Sequence, residues 1–158
     1  MKKLVSTVLL GAFSLSAIAA AESSIVTTEH VVADAFDKLG HAVTYHTDVQ
    51  NEPHLVLKSK VKGVEAMAVF FDDCNYKNQC EDVTFYSDLG KVDISDERLN
   101  GWNHIGSKMR SKAFRNDDGS VGLSMTVSFI DHKDTSGTEM LTGLFILESE
   151  LFAASINL

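Results

Sequence analysis

The stretch Ser95–Asp131, SDERLNGWNHIGSKMRSKAFRNDDGSVGLSMTVSFID, decides the fold. Its first part predicts a short helix, because Ser95 can cap the N-terminus and two acidic residues follow in the first turn. Its second part predicts a β-hairpin, because Asp118-Gly119 is a strong turn signal and apolar and polar residues alternate after it. A helix that leads directly into a hairpin indicates a helix packed against an antiparallel sheet.

The flanking sequence extends this pattern in both directions. Apolar residues at helical spacing predict one helix before the stretch and one after it, and runs rich in β-branched and aromatic residues predict four strands between. The sequence therefore predicts an α+β fold, in which three helices pack against an antiparallel sheet of five or six strands in the order α-β-β-β-β-α-β-β-α. The predicted flanking helices are Glu29–Leu39 and Ser136–Ile156, and the predicted strands are His41–Val49, His54–Lys60, Val64–Phe71 and Asp82–Ser87.

The first 21 residues have the features of a Sec signal peptide. Two lysines precede an apolar segment, and small residues occupy the positions that precede cleavage. We expect cleavage after Ala21, with cleavage after Ala19 as the alternative. The apolar segment is short for a membrane span, which disfavours a retained anchor. We expect residues 22–158 to form a single domain in the periplasm, or to be secreted.

The charge balance restricts the class of partner. The whole chain carries a net charge of −8, which becomes −10 once Lys2 and Lys3 leave with the signal peptide. Binding to nucleic acid or to anionic lipid needs lysine and arginine, so neither partner is expected. An acidic surface favours basic partners, or simply keeps an exported protein soluble.

The two cysteines, Cys74 and Cys80, predict a disulfide. In an oxidising compartment an even pair forms a bridge, and this one would close the loop between two predicted strands. A redox-active pair usually has two intervening residues, and a metal site needs more ligands than this segment offers.

The sequence offers no catalytic motif. Asp72-Asp73 and Asp117-Asp118 lack the spacing of a calcium loop, so we expect both pairs to lie at turns. No metalloprotease, nucleophile-elbow, phosphate-loop or dinucleotide motif occurs. We therefore expect no catalytic residue, no metal, no cofactor and no enzymatic activity. The histidines are scattered along the sequence, at positions His30, His41, His46, His54, His104 and His132.

Aromatic residues and one asparagine are the candidates for structural or partner-contacting roles. A tryptophan on a short helix is more often a core anchor than a ligand contact, but tryptophan is also enriched at interfaces. The last predicted helix carries more apolar residues than the underside of a small sheet requires. The candidates are Trp102, Asn103, Phe114, Phe145 and Phe152.

These segments resemble the YbjN-domain family of putative bacterial sensory transduction regulators. The resemblance rests on Leu99–Asn103 (LNGWN), on Lys112–Phe114 (KAF) before Asp117–Gly119 (DDG), on the alternating strand and on the leucine-rich last helix. It implies a fold similar to that of type III secretion chaperones, with helices on a strongly bent antiparallel sheet, and often a dimer. It implies no catalytic residues. The signal peptide and the predicted disulfide set this chain apart from the cytoplasmic members.

The prediction for function is a non-catalytic periplasmic binding, adaptor or regulatory module. We expect a protein or peptide partner, no stable membrane insertion, and a homodimer through a helix or sheet face. A small-ligand-binding periplasmic protein is the alternative, with a hydrolytic enzyme behind it. We expect the binding surface on the open face of the hairpin, or where the last helix leaves apolar surface uncovered.

Overall fold

The computed structural model describes residues 28–48, 52–75, 79–128 and 136–156, so the predicted signal peptide lies outside the described residues. The elements follow the predicted order, which confirms the α+β fold with six strands and three helices. They are α1 (Thr28–Lys38), β1 (Val43–Thr47), β2 (Pro53–Leu57), β3 (Ala66–Cys74), β4 (Cys80–Asp88), α2 (Asp96–Asn103), β5 (Lys112–Arg115), β6 (Val121–Ser128) and α3 (Ser136–Ile156).

The six strands form one antiparallel sheet in the order β1-β2-β3-β4-β6-β5. Residues of β2, β3, β4, β5 and β6 that point toward the helices form the core, in which Phe85 lies between Phe36 of α1 and Phe145 of α3. Strand β3 is apolar on both faces and lies inside the sheet. Only one of these faces is buried, because no described element covers the face that carries Phe70.

The two ends of α1 are fixed by polar contacts. At its start, the Thr28 hydroxyl accepts a hydrogen bond from the backbone N–H of Cys80 at 2.8 Å. At its end, Gly40 has a φ of 81°, which glycine adopts without the steric cost of a side chain. The hydrogen bond to Cys80 therefore ties the start of α1 to β4, and Gly40 lets the chain turn from α1 toward β1.

The second helix is capped as predicted but ends early. The Ser95 side chain accepts from the N–H of Arg98, which confirms the N-cap. Leu99, Trp102 and Ile105 have the sequence spacing of one helical face, but Ile105 does not lie on that face in the structure. The helix ends at Asn103, a single 3-10 turn follows, and Ile105 is 91% exposed.

The disulfide lies inside the β3–β4 ladder. The sulfur atoms of Cys74 and Cys80 are 2.05 Å apart, and the two residues face each other as a cross-strand pair. Both strands therefore extend to the cysteines, and Asp72 and Asp73 belong to β3. The prediction that this acidic pair lies at a turn is wrong.

The helix α3 is apolar on two opposite sides. One side is buried in the core, with Phe145, Phe152 and Ala153. The other side points outward and repeats every 3.5 residues, the period of a coiled-coil seam. The outer seam of α3 consists of Met140, Leu144, Leu147, Leu151 and Ala154, of which Met140 is 65% exposed and Leu147 is 49% exposed.

None of the helices in the described ranges has both the length and the apolar character needed to cross a membrane.

Candidate functional site

An unbroken row of five rings crosses the face of the sheet that points away from the helices, which we call the open face. The centroids of adjacent rings lie 5.4–6.4 Å apart, within the usual distance for aromatic contacts. The aromatic row consists of His46, His54, Phe70, Tyr86 and Phe114, from β1, β2, β3, β4 and β5. No described element covers it.

Strand β6 lies between β4 and β5 but adds no ring to this row, because its residue at that position is Gly122. Gly122 lies opposite Phe114 on β5, and a Cβ atom at this position would come within 2.7 Å of Phe114 Cζ and 3.0 Å of Tyr86 Cε2. The missing side chain allows the rings of Tyr86 and Phe114 to meet across the intervening strand. The row is therefore continuous because residue 122 is glycine.

A cavity of about 350 Å³ opens at the end of the open face near β1 and β2. Among the described residues that line it are three carboxylates and two members of the aromatic row, and none of these lining residues is a lysine or an arginine. We call it the acidic cavity, and its lining residues are Asp48, Glu52, Pro53, His54, Phe70, Phe71, Asp72 and Thr84.

The carboxylates of the acidic cavity differ in how they are bonded. Asp48 Oδ1 accepts from the N–H of Glu52 at 2.8 Å, which closes the turn after β1. The side chains of Glu52 and Asp72 make no hydrogen bond or ion pair with another described residue. Asp72 also lies directly opposite Asp82 in the β3–β4 ladder, so two like charges face each other.

The candidate residues Trp102 and Asn103 hold the second helix in place. The indole ring of Trp102 packs on Phe152 with centroids 4.9 Å apart, on the helix side of the sheet. The Asn103 amide bonds Ala113 twice, accepting from its N–H at 2.8 Å and donating to its carbonyl at 2.7 Å. Trp102 therefore contributes to packing on the helix side of the sheet, and it is not part of the open face.

The three phenylalanine candidates separate into two groups. Phe145 and Phe152 are fully buried, so they form the core of the molecule and not a contact surface. Phe114 is half-buried and ends the aromatic row. Only Phe114, of the five candidates, lies where a partner on the open face could reach it.

A buried carboxylate that the sequence analysis missed joins α3 to the start of β5. Glu148 is 3% exposed, and it accepts from the N–H groups of Arg110 and Ser111 at 3.1 and 2.8 Å and from the Ser111 hydroxyl. Glu148 and Asn103 together occupy the outer edge of β5, where strand hydrogen bonds would otherwise be unmade. A glutamate inside an otherwise apolar helical stripe was the available signal.

The prediction that Asp117-Asp118 lies at a turn is confirmed. Asp118 accepts from the N–H and the hydroxyl of Ser120 at 2.9 and 2.8 Å, and these hydrogen bonds lower the pKa of the Asp118 carboxyl. Gly119 in the same turn has a φ of 86°.

The described residues contain no group of three or more histidine, cysteine, aspartate or glutamate side chains placed to hold a metal ion. No family model matches the sequence, and no curated protein is similar to it. The resemblance to the YbjN-domain family therefore stays a prediction.

Proposed function

We propose that this chain is a non-catalytic module of the periplasm that binds a protein or peptide partner on the open face of its sheet. The observation that carries the proposal is the aromatic row, because a monomeric protein rarely leaves contiguous rings exposed without a use for them. Aromatic side chains are enriched at interfaces, where they provide a large contact area and lose little conformational entropy.

The chemistry of the described residues supports binding more than catalysis. Three serine hydroxyls in the described residues donate to carboxylates: Ser120 to Asp118 in a turn, Ser128 to Asp82 across the sheet, and Ser111 to Glu148. Ser111 and Glu148 are both buried. That pair bonds backbone N–H groups and has no route to a substrate. The open face offers rings, hydroxyls and carboxylates, which suit recognition.

A homodimer through the outer seam of α3 is part of the proposal. A seam that repeats every 3.5 residues pairs best with a second helix of the same period, and a second copy of this chain supplies one by two-fold symmetry. In such a dimer the open faces of both copies stay free, because α3 lies on the other side of the sheet.

Site-specific photo-crosslinking tests the open face. A photoreactive phenylalanine analogue at position 70 is expected to crosslink a partner protein in periplasmic extract. The same analogue at Ile105, which is 91% exposed and lies outside the aromatic row, is the matched control. Identical products from both positions, or no product from position 70, would contradict the proposal.

The acidic cavity makes a small-ligand-binding protein the second candidate. Its volume lies at the lower end of the range for ligand pockets. A small molecule from the extract that remains with the purified chain and raises its unfolding temperature would favour this candidate, if the Phe70→Ala variant loses it.

A further inference from the structure

The acidic cavity has unbalanced negative charge at the end of the aromatic row. Glu52 and Asp72 have no cationic partner among the described residues, and Asp82 faces Asp72 across the ladder. Like charges placed directly opposite each other destabilise a sheet. The fold therefore carries an electrostatic cost here that a bound cation would relieve.

The aromatic rings that line the cavity favour a flat cation over a compact one. Phe70 is 42% exposed, and its ring is nearly parallel to that of His54, with centroids 6.0 Å apart. A flat cation can stack on such a ring and still reach a carboxylate at its edge. A guanidinium group is planar and donates two parallel hydrogen bonds to one carboxylate, whereas an ammonium group is compact and strongly hydrated.

From this combination of charge and shape we infer that the acidic cavity binds an arginine side chain of the partner. The guanidinium group stacks on Phe70 and donates to Asp72 and Glu52, while the rest of the partner segment follows the aromatic row. This inference rests on the proposed function, since it identifies the chemistry of the partner at the same surface.

Titration with three tripeptides tests the inference on the full mature chain. The peptides are blocked Ala-Xaa-Ala sequences in which Xaa is arginine, lysine or citrulline, the last being close to arginine in shape but uncharged. Binding is followed by chemical-shift changes of backbone amides. We expect the arginine peptide to bind about tenfold more tightly than the citrulline peptide, and lysine to lie between them.

Two variants and one control locate the site. Asp72→Asn and Phe70→Ala should each weaken arginine-peptide binding by about tenfold. Asp117→Asn removes the same charge from the exposed turn of the β5–β6 hairpin and should leave binding unchanged. Equal weakening by Asp72→Asn and Asp117→Asn would overturn the inference, because it would indicate general charge attraction.

Two further outcomes separate this inference from the proposed function and from a free ligand. If no peptide binds while crosslinking from position 70 still captures a partner, the arginine cavity is refuted and the partner-binding surface stands. If free arginine binds as tightly as the blocked peptide, the ligand is a small molecule, and the assignment to a partner's side chain is overturned.

Discussion

Gly122 illustrates how one missing side chain shapes the open face. Gly122→Ala places a methyl group 2.7 Å from Phe114 Cζ, so at least one ring must leave its position. We expect a loss of about 1–3 kcal/mol in the free energy of unfolding, as in other overpacked sites. Denaturant titration followed by the fluorescence of Trp102, the single tryptophan, measures it.

A second glycine provides the control for that substitution. Gly101 lies inside α2, and a Cβ there meets nothing within 4 Å. Gly101→Ala should stabilise the protein by up to about 1 kcal/mol through helix propensity. Equal effects of the two substitutions would show that the rings of Tyr86 and Phe114 are not in contact.

His41 makes stability depend on pH. Its side chain is buried against Phe36, and burial first, then the charge of Lys60, lowers the pKa of its imidazole in the folded state. The unfolded chain keeps a pKa near 6.5, so it binds more protons as the pH falls below that value. The contribution of His41 is therefore present above pH 6.5 and is lost as the pH falls below it.

Substitution of His41 isolates this effect from the other titrating groups. We expect the unfolding free energy of the wild type to fall more steeply between pH 7 and pH 5.5 than that of His41→Gln. Parallel curves for the wild type and His41→Gln would rule out this role.

At the scale of elements, the edge of β5 depends on a side chain from another element. Glu148→Gln replaces one carboxylate oxygen with an amide N–H that faces existing donors, so a backbone hydrogen bond is lost. We expect a cost of about 1–3 kcal/mol in unfolding free energy. Glu150→Gln, two residues along on the exposed side of α3, should change it little. Comparable losses in both variants would mean that helix charge matters instead of the edge contact.

The elements themselves were accessible from sequence because their signals are local. The last helix was predicted with the bounds that the structure has, from its apolar period, and Ser95 was recognised as a cap from its neighbours. The aromatic row was not predicted, because it depends on register between strands that are far apart in the chain. Alternation placed Phe70 on the face opposite Val69, but only the ladder brings it beside His54.

The apolar spacing after Ser95 does not mark where α2 ends. Ile105 has the correct helical spacing after Leu99 and Trp102, yet the helix stops at Asn103. The Asn103 amide bonds the backbone of Ala113, which fixes the end of the helix against β5. The hydrogen bonds between Asn103 and Ala113, ten residues apart, thus outweigh the helical spacing of the apolar residues.

At the scale of the whole molecule, the outer seam of α3 predicts the oligomeric state. Light scattering across the micromolar range should give the mass of a dimer for the mature chain, and Leu147→Asp should shift it to a monomer by placing a charge in the seam. Ile105→Asp changes another exposed apolar residue and should leave the dimer intact. A monomeric wild type at every concentration would eliminate the seam as an interface.

The two edges of the sheet differ in a way that limits aggregation. Fibre growth by strand addition needs β1 of one copy to pair with β5 of the next, and to repeat without end. The N–H groups of Ser111 and Ala113 at the β5 edge are already bonded to Glu148 and Asn103, so strand addition there would have to break these hydrogen bonds. The other edge strand, β1, can pair with β1 of a second copy, and that pairing leaves neither copy with a β1 edge for a third. The contacts at the β5 edge therefore disfavour strand-to-strand polymerisation of the folded protein beyond a pair.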